Sequence, residues 1–183
     1  LSGLVGSEMC IRDRLFEAKG INTLSGKRRI QAASRDMYKA YRQVPVAEEA
    51  LRFNVVRLWH PHRNKVVYCI AYVLLFGEAG SVLQFNRLSA FLVAAARRIL
   101  AIPVQAYFDD FRFISIEYCS KSDWRHFQML ADWFGIVFGP RKDQKHSASI
   151  TMLGNVEDFT EVSSRGIVTL KAKPSRVKEV QST

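Results

Sequence analysis

The 183-residue chain is 48% hydrophobic and carries 27 Lys+Arg against 17 Asp+Glu, a formal charge of +10. That length and composition suit one domain with a real core and exclude disorder, while no apolar run reaches the roughly 18 residues of a membrane span, so no membrane partner is expected. The charge suits either a plain basic surface or a polyanionic partner, and three cysteines without paired or zinc-like spacing point to a reducing, intracellular setting.

Residues 1–14, LSGLVGSEMCIRDR, lack sustained periodicity and resemble translated library-adapter sequence. They are expected to be an artefactual leader and are set apart from the fold. Residues 15–35 are mixed and basic and read as loop with room for a short helix. Asp36 then stands at the expected start of a strand. Arg52–Leu58 and Val66–Leu75 are β-rich runs around the turn Pro61-His62-Arg63-Asn64, which predicts a hairpin over 52–75. His60 and His62 flank Pro61 as exposed turn histidines.

Asn86–Leu100 places Leu88, Phe91, Leu92, Ala95, Ile99 and Leu100 on one helical face, and Pro103 stops it. Val104–Ile116 is strand-rich but interrupted by Asp109-Asp110. Ser122 is the candidate cap of a second amphipathic helix carrying Trp124, Phe127, Leu130, Ala131 and Phe134, with Gly135 as its stop. Ile136–Phe138 and Ile150–Leu153 are short strands around a basic loop. The order predicts an α+β fold, an antiparallel sheet with helices on one face.

Two adjacent acids among Tyr107, Phe108, Phe111 and Phe113 are the chemically odd feature. Strict alternation along a strand would drive one of them toward the core, where an unpaired charge is costly. A tight turn with both acids at its tip avoids that cost, and has two readings: a solvated turn, or carboxylates presented to divalent metal. Two Mg²⁺ ions about 3.5–4 Å apart can activate an attacking hydroxyl and stabilise a leaving oxygen; such hard cations take oxygen ligands. That site needs an acid from another strand, for which Asp36 is the candidate.

At Asp36-Met37-Tyr38-Lys39-Ala40-Tyr41, followed by Pro45, the chain resembles motif A of reverse transcriptases. Phe76-Gly77-Glu78-Ala79-Gly80-Ser81 with Phe85 looks like motif B. Tyr107-Phe108-Asp109-Asp110 matches motif C, and Gly135 to Lys142 followed by Leu153-Gly154 looks like motifs D and E. The blocks occur in the family's order over about residues 30–158. Val82 departs from the family pattern, where many relatives have proline.

The resemblance implies an RRM-like, or ferredoxin-like, polymerase palm over 36–158, with a fingers-type hairpin at 52–75. Residues 15–35 would be a remnant of the fingers, and 159–183 a basic segment leading toward a thumb. It implies that Asp36, Asp109, Asp110 and the Met37 carbonyl bind two Mg²⁺ ions, or Mn²⁺ in their place. Lys39 and Ala40 would lie along the incoming deoxynucleoside triphosphate, Tyr41 would exclude a 2′-hydroxyl, and Phe76 and Gly77 would pack on the new base pair. Ser81, Phe85 and Tyr107 would support an RNA or DNA template with its primer, and Leu153 and Gly154 would grip the primer end. Lys142 would protonate the departing pyrophosphate.

Bland readings stand beside these: Tyr41 as a plain core aromatic, Lys142 as a solvated loop lysine beside Arg141 and Lys145. An RNA-templated RNA polymerase would favour Gly in place of Tyr107 and a small residue in place of Tyr41. The alternative function is a non-catalytic nucleic-acid-binding relic of a mobile element.

Overall fold

The computed structural model describes residues 29–174. The expectations for residues 1–14, 15–28 and 175–183 lie outside the described residues. Strand β1 runs Ile30–Asp36, where the sequence suggested loop. Ala32, Ala33, Ser34 and Arg35 are all buried, so the strand is covered on both faces and shows no apolar–polar alternation. Asp36 therefore ends a strand instead of starting one, and the boundary expected there falls at the edge of the sheet's central strand.

Short 3-10 turns at Ala40–Gln43 and Glu48–Phe53 lead to hairpin strands β2 (Val55–His60) and β3 (Lys65–Ile70). Both strands are shorter than expected: Arg52 and Phe53 belong to the 3-10 turn, and beyond Ile70 the chain returns toward Pro45, bridging it at Val73. Helix α1 (Ala79–Ile99) begins well before Asn86, because Gly80 and Ser81 mask its first turn. Next come β4 (Val104–Tyr107), β5 (Asp110–Ile116) and α2 (Ser120–Trp133). Helix α2 is capped at Cys119 and not at Ser122, whose hydroxyl meets His126 Nδ1 at 3.1 Å. The chain closes with β6 (Gln144–Ser147), β7 (Ser149–Met152), β8 (Asn155–Asp158), the short helix α3 (Val162–Arg165) and β9 (Thr169–Ala172). Residues 136–138 form no strand; Phe138 makes an isolated bridge to Met37.

The main sheet has the order β4-β5-β1-β6, with each neighbour antiparallel. Hairpin β2–β3 forms its own sheet, and β7-β8-β9 a third. Ala33, Phe111, Phe113 and Val104 pack with Phe85, Leu92 and Ala96 of α1 and Phe127, Leu130 and Ala131 of α2. Both long helices thus cover one face, as the sequence suggested. On the opposite face, Ala32 meets Ile150 and Phe159, with Ile30 and Ile114 against them. This second layer covers only one end of that face. Among the described residues, no helix is long and apolar enough to cross a membrane.

Candidate active site

The uncovered end of the sheet holds the acids. In the β1–β5 ladder Asp36 lies opposite Asp110, and Ser34 opposite Arg112. Antiparallel partners share a face, so Asp36 and Asp110 both point away from the helices. Tyr107 pairs with Asp110 across β4–β5, leaving Phe108 and Asp109 as a two-residue turn. The turn resolves the alternation problem: neither acid enters the core.

Its geometry is strained and held. Phe108 has φ 54°, unusual for a bulky side chain. Its carbonyl accepts from Ser89 Oγ of α1 at 2.7 Å, and the Asp109 carbonyl accepts from the Met37 amide at 2.9 Å. The same turn is thus tied to α1 and to the end of β1. Among the described residues five non-glycines have positive φ, and three of them, Lys39, Phe108 and Leu153, line one cleft. Such strain gathers where a site needs it.

That cleft, of about 990 Å³, is walled by Asp36, Asp109, Asp110, Lys39, Ala40, Tyr41, Phe76, Gly77, Tyr107, Lys142 and Leu153. Most of the residues singled out from the sequence therefore converge. Gly154 lines the adjoining cleft with Asp36, Asp110 and Lys142. Leu153 (φ 50°) and Gly154 (φ 80°) form the tight turn between β7 and β8, the conformation a two-residue hairpin favours. Tyr41 stacks on Phe85 at 4.8 Å and meets Phe76 edge-on at 5.5 Å.

Two residues are placed otherwise than expected. Phe85 and Ser81 are buried behind the wall and present nothing to a template; Phe85 backs Tyr41, and the Ser81 hydroxyl donates to Glu78 Oε2 at 3.3 Å. Glu78 itself lines the cleft, an acid that sequence reasoning passed over as a variable position within a motif.

The Lys142 ammonium contacts Asp36 Oδ2 at 2.9 Å. Hydrogen bonding and charge from Asp36 push the Lys142 pKa up. Asp110 is pushed up as well, first by burial and then by the negative charges of Asp109 and Asp36. Three carboxylates thus crowd together with one ammonium beside them. Among the described residues, no group of three or more His, Cys, Asp or Glu is arranged to hold a metal ion as it stands. The donor set nevertheless suits a hard cation: carboxylate oxygens that repel each other, one of them already drawn to a positive charge. The backbone bonds that join Met37 to Phe138 run through the Asp36 carbonyl and the Tyr38 amide, so they do not use the Met37 carbonyl.

No protein-family model matches the chain, and no curated protein matches it in sequence. Among solved structures it is similar to the foamy viral protease-reverse transcriptase in complex with dsDNA, with a TM-score of 0.62 at 16% identity. The match covers 84% of this chain and 28% of that one, so the chain spans less than a third of that protein's length. The likeness is one of fold.

Proposed function

We propose that the chain is the palm of an RNA-directed DNA polymerase, which adds deoxynucleotides to a primer 3′-hydroxyl. The observation that carries this is the pairing of Asp36 with Asp110 across adjacent strands, with Asp109 in the turn beside them and Tyr41 and Lys142 in the same cleft. The sheet order supports an RRM-like palm: β1, α1, β4, β5, α2 and β6 follow a β-α-β-β-α-β plan with the first strand central. The β2–β3 hairpin is its fingers-type insertion.

Asp36, Asp109 and Asp110, with the Met37 carbonyl, are the residues that would hold two Mg²⁺ ions. When bound, these supply charge stabilisation at the reacting phosphate and an activated primer hydroxyl. The chain's own residues do the positioning on which phosphoryl transfer depends. Lys39 and the Ala40 backbone lie where a triphosphate would run. The Tyr41 ring, backed by Phe85, presents a flat wall against a sugar and disfavours a 2′-hydroxyl. Phe76 and Gly77 pack on the nascent pair, and Leu153-Gly154 holds the primer end. Lys142, kept protonated by Asp36, carries a proton toward the pyrophosphate leaving group. The basic surface, including Arg42 and Lys145, attracts the template and primer backbones with an affinity that falls with salt. The foamy viral relative's dsDNA fits that partner class.

The second reading, a nucleic-acid-binding relic, is favoured by one observation: Lys142 already engages Asp36. Deoxynucleotide addition to an RNA-templated primer by the chain joined to fingers and thumb, with and without Mg²⁺, separates the two. Metal-dependent extension that Asp109→Asn abolishes, with duplex binding retained, supports the polymerase. A wild type that binds template and primer and never extends supports the relic.

A further inference from the structure

Residues 34–36 and 142–144 meet side chain to side chain in antiparallel order. Ser34 pairs with Gln144 in the ladder, and Gln144 Nε2 donates to Ser34 Oγ at 2.9 Å. One step on, Arg35 Nε and Nη2 both reach Asp143 Oδ2 at 3.1 Å. A further step on, Lys142 meets Asp36 at 2.9 Å. Neighbouring residues of a strand point to opposite faces. The Arg35–Asp143 pair therefore lies on the helix side and the Asp36–Lys142 pair on the open side.

The two ion pairs differ sharply in surroundings. The Arg35 and Asp143 side chains are only 6% and 9% exposed, whereas Lys142 is 70% exposed. The Arg35 guanidinium also sits 4.6 Å from the Trp124 ring centroid and 4.5 Å from that of Phe138. Yet Arg35 Nη1 and Asp143 Oδ1 have no hydrogen-bond partner. An incompletely satisfied buried pair is a poor source of stability, and its better-attested use is to specify register. The charge order does this here. Sliding 142–144 by one residue along β1 would set Lys142 against Arg35 in one direction, or Asp143 against Asp36 in the other. Both alternatives juxtapose like charges, and either would turn Lys142 to the wrong face.

We infer that Arg35 and Asp143 are positioning residues: their buried pair, sandwiched between Trp124 and Phe138, fixes the register that holds the Lys142 ammonium at Asp36. Arg35 and Asp143 touch no substrate; they act through Lys142. This rests on the polymerase reading only for its catalytic consequence, since the placement of Lys142 is a property of the chain itself.

The test reads that placement directly. In the 183-residue chain, acylation of individual lysines by a water-soluble active ester is followed by mass spectrometry. Wild-type Lys142 reacts more slowly than Lys145 and Lys39, and Asp36→Asn abolishes the difference. Arg35→Met and Asp143→Asn, each confirmed folded by circular dichroism, should accelerate Lys142 by about fivefold, the scale of a lost exposed ion pair, while Lys39 stays unchanged. Should a single variant fail to fold, the charge-free pair Arg35→Met with Asp143→Leu carries the same expectation. Arg35→Lys keeps the charge but loses the planar stacking, and should fall between. Unaltered Lys142 labelling in a folded variant overturns the inference. In extension assays the variants should lower kcat with little change in KM; a purely structural role would lower active enzyme without changing the ratio of Lys142 to Lys39 labelling. If the wild type joined to fingers and thumb never extends, the polymerase reading fails, and the labelling still decides the role of Arg35 and Asp143.

Discussion

The ring of Tyr41 lies nearly parallel to that of Phe85, 27° off at 4.8 Å, so a half-buried wall of the cleft is braced by a fully buried side chain. Offset stacking of this kind favours one ring orientation over others. On the polymerase reading proposed above, sugar discrimination would belong to the pair and not to Tyr41 alone.

Tyr41→Ala should admit ribonucleotides by removing the wall. Phe85→Leu should do so in part, by letting the wall tilt, and should also destabilise the fold by about 1–2 kcal/mol through lost core volume. The ratio of deoxynucleotide to ribonucleotide incorporation checks both. A wild type that uses the two sugars equally would show that Tyr41 is no gate.

Asp110→Asn should move activity and stability in opposite directions. Extension should disappear, because one of the carboxylates proposed to hold the metal ions is gone. Thermal stability near neutral pH should rise slightly, roughly 0.5 kcal/mol after allowing for solvent screening, because Asp110 sits against Asp36 and Asp109. A melting temperature that falls would mean that Asp110 is held by attraction and not crowded by repulsion.

His146 gives the fold an acid-side weakness. Burial, and then the charge of Lys145, lower its pKa from 6.5 to about 4. The unfolded chain therefore binds the extra proton first, and stability is full above pH 6.5, declining as pH drops toward 4. His146 is partly exposed, so the loss is discounted to about 1–2 kcal/mol. Urea midpoints between pH 7 and pH 4 should fall in the wild type, and fall less in His146→Asn.

Leu153→Asn should stabilise and impair together. Leu153 has φ 50°, which costs a leucine and suits asparagine before Gly154. Stability should rise by roughly 0.5–1 kcal/mol, while primer extension falls because an apolar contact at the cleft rim is lost. Equal extension by both would remove Leu153 from the primer site.

The sequence and the structure agree most where a segment has one buried face. Leu92 and Ala95 of α1, Phe127, Leu130 and Ala131 of α2 and the hairpin turn at 61–64 announce themselves through their period or their turn residues, whereas Phe91, Ile99 and Phe134, expected on the same apolar faces, are exposed. Strand β1 does not, because Ala32 to Arg35 are buried on both sides and their residue types carry no period. Its paired partners, Asp110 and Asp143, lie far along the chain, and no local pattern encodes such contacts. The cleft residues were legible only as an ordered set of short blocks, each weak alone. Phe85, a member of one block, is core, so a motif position named its importance without its depth.

The hydroxyl of Ser89 ends in the carbonyl of Phe108, so helix α1 reaches the acidic turn at one fixed rotational phase. Adding or deleting one residue turns a helix by about 100°. Between Gly77, where the chain bends into α1, and Ser89, the number of residues therefore matters more than their identity. Substitutions there should be absorbed as long as Ser81 and Phe85 stay small and apolar respectively. A single-codon insertion or deletion in that stretch would swing Ser89 away from the turn and leave the strained Phe108 unsupported, disabling the site without altering any residue in it.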